Sequence, residues 1–77
     1  MAEPLFTRVR WRGGYDMEQV DAFVERLMAT AEGRPVDRPV TADDIRQVQF
    51  RSVRLAEGYD MEEVDNFLDQ AEGLLRR

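Results

Sequence analysis

The side chains that could do chemistry in this sequence are carboxylates and arginines, because its 77 residues include no histidine and no cysteine. The commonest general base, the thiol nucleophiles and the usual zinc ligands are therefore missing. An enzyme would need paired carboxylates in a pocket, but those of residues 18–25 and 62–69 alternate with apolar residues at helical spacing. They also lack the pattern of a calcium-binding loop. We predict solvated helix faces, with no catalytic residues, no cofactor and no metal.

The feature most typical of a binding function is Trp11, which lies among three arginines. In one interpretation the indole sits at the headgroup depth of a membrane and the arginines meet anionic lipid. In the other, which we favour, Trp11 covers the end of a helical core and the arginines pack on acidic helix faces. A leucine with two arginines repeats the feature more weakly in the second half. The residues predicted for membrane or partner contact are Arg8, Arg10, Trp11, Arg12, Arg54 and Leu55.

The chain contains one stretch twice, as GYDMEQVDAF at residues 14–23 and GYDMEEVDNF at residues 58–67, with an offset of 44 residues. The same offset pairs Phe6 with Phe50 and Val9 with Val53. Such a repeat indicates a repeated supersecondary unit. We divide the chain into a first unit (1–33, with residues 1–5 frayed), a proline-containing linker (34–40) and a second, more complete unit (41–77).

Both copies carry the signals of a helix start. Glycine permits a positive φ and marks a sharp turn, aspartate caps the helix, and a residue three positions later, Gln19 or Glu63, completes a capping box. The tyrosine is placed for a hydrophobic staple. These signals predict helices over 17–32 and from Met61 to the C-terminal end, with a short helix over 42–49 between them. The helix-start signature comprises Gly14, Tyr15, Asp16, Gly58, Tyr59 and Asp60.

Each long helix carries one apolar stripe at helical period. The stripes predict an all-α fold, in which two long amphipathic helices, a short helix and irregular arms form a pseudo-symmetric helical pair or a coiled-coil-like dimer. They could pair within the chain, which we slightly favour, or between two chains. The predicted association seam comprises Val20, Phe23, Val24, Leu27, Val64, Phe67, Leu68, Ala71 and Leu75.

Residues 41–50 (TADDIRQVQF) and 58–69 (GYDMEEVDNFLD) resemble the N-terminal domain of the DivIVA family of bacterial cell-division and polar-growth proteins, and residues 6–23 repeat part of the pattern. The resemblance implies a helical module that dimerises through its signature helix and continues into a parallel coiled coil. It also implies recognition of curved membrane at poles and septa and recruitment of division or wall-synthesis proteins. In that family, an apolar and a basic residue on the loop before the Gly-Tyr-Asp turn touch the bilayer.

From these observations we expect a non-enzymatic interaction module linked to bacterial cell division, in the cytoplasm and at the septum or pole. A peripheral membrane-binding module and a generic helical adaptor are the alternatives. The net charge of −5 argues against nucleic acid as a partner. No apolar run is long enough to span a bilayer, and the N-terminus is unlike a signal peptide. The expected partners are the chain itself, an unknown division or wall-synthesis protein, and an anionic membrane surface.

Overall fold

The computed structural model describes residues 6–76, so the expectation that residues 1–5 are frayed lies outside the described part. A four-stranded antiparallel sheet and three helices make up the fold. The prediction of an all-α fold is therefore wrong, and the chain is α/β. The elements in chain order are β1 (Arg8–Val9), β2 (Gly14–Tyr15), α1 (Met17–Glu32), α2 (Ala42–Gln47), β3 (Ser52–Val53), β4 (Gly58–Asp60) and α3 (Met61–Leu75).

The order of the strands is β1-β4-β2-β3, so the two copies of the repeat exchange strands. At the centre, β2 pairs with β4 and Tyr15 lies opposite Tyr59. On the flanks, β1 of the first copy pairs with β4 of the second, while β3 of the second pairs with β2 of the first. The registers are related by the 44-residue offset, which gives the sheet a pseudo-two-fold axis between the tyrosines.

Gly14 and Gly58 are required by close approach of two backbones rather than by a turn. A Cβ atom at Gly14 would lie 2.8 Å from Cγ2 of Val9 and 3.0 Å from the carbonyl oxygen of Tyr59. At Gly58 it would lie 2.8 Å from the carbonyl oxygen of Tyr15. Among the described residues, Gly33 is the one glycine with a positive φ, so the expected turn conformation at Gly14 and Gly58 is wrong.

The helix boundaries follow from local capping. Helix α1 spans the predicted residues, because Asp16 accepts hydrogen bonds from the backbone N–H groups of its first turn and Gly33, at φ 74°, ends it in the left-handed region. Thr41 and Asp44 form a complete capping box at the start of α2. This helix ends at Gln47, two residues earlier than predicted, because Val48 is extended.

The two copies share one core. Val20 and Val64, which occupy equivalent positions on α1 and α3, are both fully buried. Val40 of the linker and Ile45 of α2 join the same cluster. Because β2 and β4 lead directly into the long helices and the C-terminal halves of α1 and α3 line one groove, the helices leave the sheet side by side. Sheet and helices together enclose the core, so the molecule is not a coiled coil.

None of the helices within residues 6–76 has the length and apolar character needed to cross a membrane.

Replacing either central glycine is expected to destabilise the fold. In Gly14→Ala or Gly58→Ala the new methyl group overlaps the opposing strand, and we expect a loss of about 1–3 kcal/mol in the free energy of unfolding, measured by urea denaturation. Gly73→Ala is the matched control, because nothing lies within 4 Å of its Cβ position on the exposed side of α3. That change should stabilise the protein by about 0.5–1 kcal/mol. Equal effects at all three glycines would contradict the close approach.

Candidate interaction surface

The signature tyrosines bond to the other copy of the repeat. The hydroxyl of Tyr59 donates to Oδ1 of Asp21 at 2.7 Å, and the hydroxyl of Tyr15 donates to Oδ1 of Asp65 at 2.8 Å. Burial, followed by the bond to Asp21, raises the pKa of Tyr59 to about 12. Burial and the bond to Asp65 raise the pKa of Tyr15 in the same direction. Both tyrosines therefore cross-link the copies as neutral donors.

The residues predicted to close the capping boxes of α1 and α3 also reach the other copy. Oε1 of Glu63 accepts from the backbone N–H of Thr7, and Oε1 of Gln19 accepts from that of Arg51, both at 2.7 Å. The capping boxes predicted at Gln19 and Glu63 are therefore wrong. The prediction failed because of the strand exchange. The backbone N–H of Asp16 donates to the carbonyl oxygen of Arg51 at 2.8 Å, so it does not need a side-chain acceptor.

The aromatic side chains of each copy also pack against the other copy of the repeat. Phe6 of the first copy lies 5.4 Å from the ring of Tyr59 and 5.5 Å from that of Phe67. Phe50 of the second copy contacts Tyr15 and Phe23 at 5.4 and 5.8 Å. These tilted and edge-to-face pairs have favourable ring geometry. The aromatic residues that occur in both copies thus hold the two copies together, in addition to their role at the helix starts.

The predicted seam lies along this shared core. Its fully or largely buried members are Val20, Phe23, Val24, Leu27, Val64 and Leu68, and its partly buried members are Phe67, Ala71 and Leu75.

Two loops at equivalent positions present the predicted contact residues. Trp11, in the loop between β1 and β2, is 72% exposed, and Leu55, in the loop between β3 and β4, is 83% exposed. The interpretation that Trp11 covers the helical core is therefore wrong. Trp11 also has a φ of 70°, a conformation that costs a residue with a side chain about 1–2 kcal/mol. An exposed, strained tryptophan is more typical of a contact site than of a structural position.

The arginines around the loops are exposed, and some are tied to the second copy. Arg12 pairs with Asp60 at 3.0 Å and Arg8 with Glu57 at 3.8 Å. Arg10 and Arg54 are exposed on either side of the sheet pseudo-axis. Residues 7–14 hold three arginines and no carboxylate, whereas α3 holds five carboxylates and no arginine. We call the two loops, residues 10–13 and 54–57, the tips. The first tip combines the exposed Trp11 with Arg10 and Arg12, whereas the second combines the exposed Leu55 with Arg54 and Glu57.

Comparison with protein-family models, with curated proteins and with solved structures finds no match for this chain.

Sequence reasoning missed the role of four side chains that hold the copies together, because it placed Gln19 and Glu63 in capping boxes and Asp21 and Asp65 on solvated helix faces. The available signal was their recurrence, since Asp21 and Asp65 are identical and Gln19 and Glu63 present the same acceptor at the same offset. A polar residue kept in both copies on an otherwise solvated helix face indicates a partner, although the sequence does not say which residue that partner is.

The raised tyrosine pKa values predict a loss of stability at high pH. The sequence has no lysine or cysteine, so its two tyrosines are the side chains that titrate between about pH 10 and 12. The contribution of Tyr59 is complete below its ordinary pKa of 10.0 and is lost as pH rises through about 12, because the folded state retains a proton that the unfolded state has released. Unfolding by urea should therefore become easier across this window.

The control for this pH dependence is Tyr59→Phe. In this variant the unfolding free energy should fall less steeply with pH, because only the contribution of Tyr15 remains. In the double variant Tyr15→Phe/Tyr59→Phe the fall should disappear. The ionisation of each tyrosine can be followed separately by ultraviolet absorbance in the single variants. An unchanged slope in the double variant would contradict a tyrosine origin.

Proposed function

We propose that this chain is a non-enzymatic, DivIVA-like interaction module that acts in bacterial cell division or polar growth by associating with other proteins. The observation that supports the proposal is that strands and signature tyrosines of each copy pair with the other copy. The resemblance implies a dimer joined through the signature helix. In this chain the two copies of the repeat are joined to each other through β1–β4, β2–β3 and the tyrosine bonds.

Covalent connection of the two units makes their pairing independent of protein concentration. The linker of residues 34–40 converts a bimolecular association into an intramolecular one, which raises the effective concentration of each unit for the other to the millimolar range or above. A module of this kind presents its surfaces in fixed relation even when it is scarce. Because the signature residues are occupied in joining the units, partner contact is left to the tips and the exposed helix faces.

A second candidate function is peripheral membrane binding, which the exposure of Trp11 and Leu55 favours. Tryptophan is stable at the headgroup level of a bilayer, and each basic residue near an anionic surface contributes about 1 kcal/mol.

A fluorescent fusion tests the proposed role in division. We expect a focus at the septum or pole of dividing bacterial cells, because the proposed partners are concentrated there. The matched control is Gly14→Ala/Gly58→Ala, which is expected to disrupt the joined units and disperse the focus. A diffuse signal from the folded wild-type fusion would remove the assignment to division.

Vesicle co-sedimentation tests the membrane function. We expect the protein to sediment with anionic vesicles and to remain in solution with neutral ones. Trp11→Gly should reduce binding several-fold, since it removes the indole, and should raise the free energy of unfolding, since it relieves the positive φ by about 1 kcal/mol.

That combination of weaker binding and greater stability separates a contact residue from a structural one. Absence of wild-type binding to anionic vesicles would rule out the membrane function, and retention of binding in Trp11→Gly would rule out the indole as its anchor.

A further inference from the structure

The first strand and the residues before it are held by the other copy of the repeat. We call residues 6–9 the β1 segment. The backbone N–H and the hydroxyl of Thr7 donate to the carboxylate of Glu63 at 2.7 and 2.9 Å. The ring of Phe6 packs on that of Phe67 with 5.5 Å between centroids, and β1 pairs with β4. The β1 segment is therefore bound to β4 and α3, which lie about fifty residues along the chain.

The connection from the β1 segment to the rest of the fold is strained. This connection is the first tip, where Trp11 has a φ of 70°, a conformation unfavourable for a residue with Cβ. Within residues 6–76, Trp11 is the one residue other than glycine with a positive φ. The second tip connects the equivalent strands without a positive φ. The strand order therefore does not itself impose the strain, which belongs to the tip that joins the β1 segment.

Strain in a short connection favours exchange of the segment that it joins. If the β1 segments of two chains trade places, each binds β4 and α3 of the other chain and keeps the contacts described above. The first tip then no longer connects two strands of one sheet, so Trp11 can adopt a negative φ. Two separate chains contain two strained residues and the exchanged pair contains none. The relief of strain therefore counts twice in favour of the pair.

Charge on the first tip opposes the exchange at low salt. The two connections of an exchanged pair cross between the same two halves, so Arg10 and Arg12 of one chain come near those of the other. Like charges repel, and salt screens the repulsion between exposed groups. The exchanged pair is therefore expected to strengthen as ionic strength rises.

We infer that this chain forms a dimer with a second copy of itself by exchanging residues 6–9, with the first tip as the hinge. The partner is a second copy because the surface that binds the β1 segment is complementary to that segment and is present in every copy. The inference goes beyond the proposed function and does not depend on a role in division.

Sedimentation equilibrium of the full chain, refolded from urea, tests for the dimer. Unfolding frees the β1 segment, so that on refolding it can bind its own chain or another. We expect a dimer whose fraction rises with concentration up to about 1 mM, the order of the effective concentration of a tethered segment. The fraction should also rise with salt.

Two substitutions of Trp11 separate strain from side-chain contact. Trp11→Gly removes the strain from the closed chain and should lower the association constant about thirtyfold or more, because the relief is lost at both hinges. Trp11→Ala is the matched control, since it removes the indole but keeps Cβ. It should retain the dimer.

Isotope-filtered NOE measurements on a refolded mixture of labelled and unlabelled chains identify the exchanged segment. Contacts between Phe6 and Phe67 should become intermolecular. Contacts between Phe23 and Phe50, whose ring centroids are 5.8 Å apart, should stay within one chain. If both pairs were intermolecular, the chains would have exchanged whole repeat units through the linker. If neither were, the dimer would use another surface. Either result would overturn the inference.

Three further results would also contradict the exchange. The first is a wild-type chain that stays monomeric after refolding at every concentration up to about 1 mM. The second is a dimer that Trp11→Ala weakens as much as Trp11→Gly does, which would make the indole a contact between copies. The third is a dimer that weakens as salt rises, since ion pairs would then hold it. None of these measurements depends on where the fusion protein lies in a cell, so this inference and the proposed function fail separately.

Discussion

The structure depends on the close crossing of two backbones at Gly14 and Gly58. Only a residue without Cβ allows β2 and β4 to approach as they do, since a methyl group at either position would lie within 3 Å of the opposing strand or its neighbour. The crossing sets Tyr15 opposite Tyr59. It thereby fixes where both long helices start, and with them the positions of the core and the tips.

Because of this crossing, the same residues begin the helices and join the copies. Asp16 caps α1 through its carboxylate while its own N–H donates to the strand of the other copy. Separating the copies would leave the N–H groups of Thr7 and Arg51 without their side-chain acceptors and would expose Phe6 and Phe50. Exposing a buried aromatic side chain such as Phe6 costs about 1.5–3 kcal/mol. Neither copy is therefore expected to keep its conformation without the other.

The parts of the fold that sequence reasoning predicted are those determined locally. Asp16, Gly33 and the apolar period define α1 within its own residues, so its bounds were correct. The sheet was missed because its strands have two or three residues, too few to show alternation, and because each pairs with a strand of the other copy. The capping boxes at Gln19 and Glu63 failed for the same reason, since the competing partner lies far along the chain. The favoured interpretation of Trp11, as a cover of the helical core, failed because its neighbours in sequence do not determine what covers it.

Duplication within one chain also allows the two halves to differ where a homodimer cannot. Residues nearest the axis are identical in both copies, because each must fit its own counterpart: Gly14 and Gly58, Tyr15 and Tyr59, Val20 and Val64. Away from the axis the copies diverge, with Trp11 against Leu55 on the tips and Thr30 of α1 against Leu74 of α3 on the long helices. A substitution at one of these positions alters the surface of one copy and leaves the equivalent surface of the other copy unchanged. Thr30 can therefore hold the backbone N–H of Val40 on one side of the helix pair while Leu74 lines an apolar groove on the other, an asymmetry that a two-fold symmetric dimer of identical chains would not permit.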